Sequence, residues 1–114
     1  MDASTFLPLS AREFHVLLAL AGEPLNGYQV TRKAEENSGG AVRLSPATQY
    51  TNLHRLVARG LVEEVTDAHG DLPAARRQRY WSLTPLGHRV LRAEGQRLAA
   101  DARLVRALGP ETGR

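Results

Sequence analysis

The stretch from Ser45 to Gly60 carries the side chains best suited to chemistry with a polyanion. At 100° per residue, Thr48, Thr51, Asn52, Arg55 and Arg59 project from one side of a helix, while Tyr50, Leu53, Leu56 and Val57 form an apolar stripe opposite. Hydroxyls, an amide and guanidinium forks exchange hydrogen bonds with base edges and phosphates. A face that serves only solubility usually carries Glu and Lys, and this one has neither. A second cluster follows downstream, where Arg76, Arg77 and Arg79 fall within four residues of one another. Fixed positive charge on a loop suits phosphate contact or entry into a minor groove, although such a cluster also serves plain solubility.

Other chemistries find little support. His15, His54, His69 and His88 are scattered, and none pairs with a carboxylate at the close helical spacing a metal site requires. There is no glycine-rich phosphate loop and no nucleophile elbow. Glu63, Glu64 and Asp67 read as a solvated strand edge rather than a catalytic pair. With no cysteine, disulfides, thiol nucleophiles and thiolate metal sites are all excluded. The reading is therefore of a protein that is not an enzyme and uses no cofactor or metal.

The elements that must position these residues can be traced from caps and breakers. Ser10 and Glu13 have capping-box spacing, and the run Phe14, Val16, Leu17, Leu18, Leu20, Ala21 goes almost all the way round the helix they open. A helix apolar on most faces needs cover on most faces, which predicts a second subunit against Phe14 and Leu18. Asn26 caps a second helix from Gly27 to about Asn37, and Ala41–Leu44 has the character of a short strand. Ser45 caps the third helix, with Pro46 in its first turn and Gly60 at its end. Leu61–Asp67 and Gln78–Leu83 read as a hairpin around a long basic loop, Ala68–Arg77.

Thr84 and Pro85 open a last helix that runs to about Leu108, where Gly109-Pro110 breaks it. Leu91, Leu98 and Val105 recur every seven residues with Gly95 and Ala102 between them, a seam whose small residues permit close helix approach. About 36 Å of helix is more than one small domain covers, so the seam predicts dimerisation.

The fold expected is mainly α with a small β-hairpin. Residues 1–84 form a winged helix-turn-helix, and residues 85–114 a dimerisation helix and tail within one structural unit. The net charge of +3 fits a polyanionic partner but adds little, because small domains are often mildly basic. All but one of the 15 Lys and Arg residues are arginine, an excess that a GC-rich genome explains as readily as phosphate binding does. No stretch approaches the roughly 18 uninterrupted apolar residues of a membrane span, and no signal peptide is visible, so the expected location is cytoplasmic.

Four stretches together resemble the PadR-type transcriptional regulators in their short form with a single C-terminal helix. They are Leu25-Asn26-Gly27-Tyr28, Leu44 through Tyr50, Leu53 through Leu56 to Val62, and Arg79 through Gly87, within about residues 7–108. The resemblance implies a homodimer built on the last helix and assisted by the first. It implies double-stranded DNA as partner, an imperfect palindrome read by the third helix with the wing on the flanking backbone. It implies a repressor released by a small-molecule effector, and a role for Tyr50 in contacting the DNA backbone. Two positions depart from the family pattern. Gln49 fills a slot that is usually apolar, and Trp81 replaces a second tyrosine, with the core or a ligand pocket between subunits as its two destinations. Two rival readings accompany this one: a winged-helix module that binds protein alone, and a ligand sensor without DNA binding.

Overall fold

The computed structural model describes residues 2–66 and 79–111, Thr66 by its backbone only. A 3-10 turn, Ala3–Phe6, precedes α1 (Ala11–Ala19), β1 (Leu25–Asn26), α2 (Gly27–Asn37), α3 (Pro46–Ala58), β2 (Val62–Thr66), β3 (Arg79–Leu83) and α4 (Pro85–Ala107). Each long helix starts where a side chain takes up an otherwise orphaned N–H. Ser10 and Asn26 close full capping boxes with Glu13 and Gln29, while Ser45 and Thr84 accept from the third residue of proline-opened helices.

One strand differs from expectation. Ala41–Leu44 is not a strand; the third strand of the sheet is Leu25–Asn26. Sheet order is β1-β3-β2, all antiparallel, with Leu25 opposite Trp81 and Val62 opposite Leu83. A two-residue strand has no periodicity to read, and only β3 lying alongside reveals it.

The core gathers Val16 and Leu17 of α1 with Leu20 at its end, Val30 of α2, Leu53 and Leu56 of α3, and Val90 of α4 around Trp81 and Leu83. Gly60, at φ +79°, turns the chain out of α3 in a conformation that L side chains rarely adopt. Gly87 is where α4 crosses the sheet root: a Cβ there would lie 2.1 Å from the Leu61 carbonyl oxygen. The same carbonyl accepts the Thr84 N–H at 3.1 Å, so α4 is docked on main chain.

The N-terminal segment is tied to α4 by a buried charge. Glu94, 1% exposed, accepts the Leu9 N–H at 2.8 Å and grips Arg97 through both carboxylate oxygens. Arg97 holds the Glu94 carboxyl below the usual carboxylate range, against the upward push of burial, and the Leu9 N–H adds to this. Beyond this clamp α4 runs clear of the core, and Leu104, Val105 and Leu108 are 69%, 65% and 81% exposed.

Candidate nucleic-acid interface

Helix α3 presents its polar side outward because Gln49, Asn52, Leu53 and Leu56 fill the inward side. Thr48, Thr51 and Arg55 are exposed, as the residue spacing predicts. Ser45 fixes the start of this face: its Oγ accepts the Thr48 N–H at 3.2 Å and donates to Thr48 Oγ1 at 3.0 Å. The Thr51 hydroxyl bonds back to the Ala47 carbonyl at 3.2 Å.

Asn52 requires a correction. The expected base-reading amide is 7% exposed, beside the start of α1, with Nδ2 lacking a partner among the described residues. Rotating the wheel by the observed burial brings His54 into the outward set instead. His54 has no metal-ligand spacing and so carries no role in the sequence pattern. Its place one turn after Tyr50 was the available signal. Arg59 also leaves the open face, pairing with Glu13 at 2.6 Å and lying over the Phe6 ring.

Gln49 is buried as the wheel requires. Its Nε2 donates to Thr31 Oγ1 on α2 at 3.2 Å, and its Oε1 has no partner among the described residues. A hydrogen bond from the Gln49 amide therefore links α3 to α2 at this position.

Tyr50 joins the recognition helix to the wing. Its half-exposed ring stands edge-on to Trp81 at 6.0 Å and beside His54 at 5.3 Å. Its hydroxyl accepts from Arg79 at 2.7 Å, the Arg79 guanidinium lies over the ring, and Glu64 pairs with the same arginine at 3.2 Å. The tyrosine oxygen, and after it the Glu64 carboxylate, push the Arg79 pKa further up. Arg76 and Arg77 lie outside the described residues.

Trp81 belongs to the core. At 1% exposure it meets Tyr50 and His54 edge-on and offers no surface to a ligand, which corrects its assignment as a ligand-lining residue. The seam residues divide into two groups. Phe14 and Leu91 pack partly on their own core, whereas Leu18, Leu98, Ala102 and Val105 are exposed. Gly95 faces open space: beyond its chain neighbours and its own helix backbone, no atom of the described residues lies within 4 Å of a Cβ placed there.

Alongside α3 lies an open groove of about 590 Å³. Ser10, Ala11, Arg12 and Glu13 form one wall and Thr48, Thr51, Asn52 and Arg55 the other. Among the described residues no group of His, Asp or Glu could hold a metal ion, and no helix is long and apolar enough to cross a membrane.

Two helices linked by residues 38–45, the second presenting a polar face beside a three-stranded sheet, define a winged helix-turn-helix with a long C-terminal helix appended. The chain belongs to the PadR-like family of transcriptional regulators, whose sequence pattern matches residues 16–93. Its fold is similar to a PadR family transcription regulator from Clostridium difficile (TM-score 0.71, 16% identity, 87% of this chain and 98% of that one). It is also similar to Bacillus subtilis PadR in complex with operator DNA (TM-score 0.59, 22% identity, 71% of this chain and 44% of that one). In sequence it is 38% identical over 84 residues to an uncharacterized 37.1 kDa protein of a Streptomyces fradiae transposon. The match covers 74% of this chain but spans only 22% of that relative's length.

Proposed function

We propose that this chain is a sequence-specific, cytoplasmic DNA-binding regulator that works as a homodimer, in the sense of a repressor. The observation that carries the reading is the outward face of α3, where Thr48, Thr51, His54 and Arg55 are exposed together with no carboxylate among them. In a winged helix-turn-helix the second helix of the motif enters the major groove, and on this reading the α3 face meets base edges there. Tyr50 and Arg79 take a phosphate beside it. The hydroxyl that accepts from Arg79 keeps its own proton to donate, and the guanidinium adds charge. Arg76 and Arg77 extend the phosphate contact along the wing.

Pairing falls to α4, supported by its exposed seam at Leu98, Ala102 and Val105 with Gly95 open beside it, and by Leu18 on α1. Residues 1–84 then serve as the DNA-binding portion and residues 85–114 as the pairing portion of one unit. Release by a small-molecule effector follows from the family resemblance alone, and Trp81 takes no part in it.

The test is selection of bound duplexes from a random pool, with sedimentation of the free protein. Enrichment of an imperfect palindrome with half-sites about 34 Å apart, bound by a sedimenting dimer, is expected. A pool that shows no enrichment sinks the sequence-specific reading.

A further inference from the structure

Helix α4 is mounted at two places along its length. At its root the Thr84 hydroxyl donates to the Gly60 carbonyl at 2.6 Å and the Thr84 N–H to the Leu61 carbonyl at 3.1 Å, directly behind the last turn of α3. Gly87 and Val90 are buried beside this root. The second place is Glu94, about 15 Å further along the axis at 1.5 Å per residue. It is the last buried residue of α4, and the Leu9 N–H donates into it at 2.8 Å. The root fixes where α4 starts, and the bond at Glu94 fixes the direction it takes.

The segment that holds Glu94 also holds the end of α3. Its 3-10 turn lies against α4, and Phe6, packed partly on the core, carries the Arg59 guanidinium 5.2 Å from its ring centre. Arg59 is the C-cap of α3. Glu13 takes the same guanidinium at 2.6 Å through Oε2, while its Oε1 accepts the Ser10 N–H at 2.8 Å. Two consecutive backbone amides are thus bound to different helices: Leu9 directly to α4, and Ser10 through Glu13 to α3. Direct packing between α3 and α4 is slight among the described residues, so the two helices are joined by the root and by this segment.

We propose that residues 2–10 act as a strap that sets the angle between α4 and α3, with Glu94 and Arg59 as positioning residues, and that this angle fixes the half-site spacing the dimer accepts. The inference rests on the reading of α3 as the DNA-contacting helix and α4 as the pairing helix, and deepens it. Val105 lies about as far beyond Glu94 as Glu94 lies from the root, so a shift of about 1 Å at the strap becomes about 2 Å at the pairing seam. Arg59 then serves the operator through geometry rather than contact.

The test compares wild type, Arg59→Met, Arg59→Lys and Glu94→Gln on three labelled duplexes. These are the selected site, the same site with one base pair inserted between its half-sites, and a single half-site. Arg59→Met keeps the length of the side chain and removes its ion pair, and Glu94→Gln loosens the bonds to Leu9 and Arg97. Both are expected to sediment as dimers and to bind the single half-site as wild type does. On the selected site both are expected to bind about tenfold more weakly, because a loosely held second half loses effective concentration. Both also lose the wild-type preference for that site over the one with the insertion. Arg59→Lys, which keeps a charge opposite Glu13, restores most of the preference.

An unchanged affinity and spacing preference in Arg59→Met overturns the strap. An equal loss on the full and single sites also overturns it, since that marks a direct contact between Arg59 and DNA, as does a variant that sediments as a monomer. Should Glu94→Gln not fold, the two Arg59 variants decide the matter alone. A wild type that sediments as a monomer, or binds full and single sites alike, defeats the dimer reading itself. The two failures are thus distinguishable.

Discussion

Replacing Gly87 by alanine tests how α4 is mounted. The added Cβ would sit 2.1 Å from the Leu61 carbonyl oxygen, 3.1 Å from its carbon and 3.3 Å from Leu83 Cδ2. Ordinary contact needs roughly 1 Å more, and the obstacle is main chain that cannot swing aside as a flexible side chain would. Helix α4 must therefore lift from the sheet root, lengthening the Thr84 N–H bond to the same carbonyl, now 3.1 Å. Overpacking costs about 1–3 kcal/mol and the weakened bond about 1, offset by up to about 1 from alanine's better helix propensity. The net loss expected is about 2 kcal/mol, a large share of the 5–15 typical of a domain, and a fall in melting temperature of about 10 °C. Urea unfolding and a thermal melt read it directly. Gly95→Ala is the matched control: the new methyl meets nothing in the chain and adds helix propensity, so the isolated fold gains up to about 1 kcal/mol. If Gly95 lies in the pairing seam, the same variant weakens self-association in sedimentation. A Gly87→Ala protein as stable as wild type would refute the docking argument.

Further expectations concern charge and recognition. Glu94→Gln breaks the bond pattern to Leu9 and Arg97 and is expected to destabilise by about 1.5–3 kcal/mol at neutral pH, measured by urea unfolding. Because the folded carboxyl sits below its ordinary range, the Glu94 contribution is complete above the unfolded value near 4.5. It disappears as pH falls through the lowered folded value, so the gap between wild type and variant should close in acid and not in base. Arg55→Ala should relax base preference at one position of the selected site by about 1–3 kcal/mol in competition binding. The double variant Arg76→Ala, Arg77→Ala should reduce the salt slope by about 1.8 if both wing arginines meet phosphate, and an unchanged slope removes that role.

Much of the architecture was legible in local signals. Ser10, Asn26, Ser45 and Thr84 each cap a helix at the expected place, since capping depends on residues only three positions apart. The two wing strands were readable from composition, and Gly60 marks the end of α3 at a positive φ, where glycine is strongly favoured. The misses have a common cause. Asn52 lies at the margin between the buried and exposed arcs of α3, and the angle of a helical wheel cannot say which way its neighbour α1 leans. Strand β1 is two residues long and exists only because β3 lies against it. Glu94 reads as one more polar residue on a charged helix until Leu9, 85 positions away in sequence, donates into it.

By itself the sequence determined the order of elements, their caps and the outward exposure of Thr48, Thr51 and Arg55, because all of these depend on spacing within a single element. Tertiary structure decided what spacing cannot carry. It drew Asn52 into a groove with the start of α1, latched Tyr50 to Arg79 across helix and wing, enclosed Trp81 in the core and buried Glu94 beneath the N-terminal segment. Each of these depends on the distance between elements remote in the chain, which is fixed only when the core closes and burial selects which polar groups must find partners.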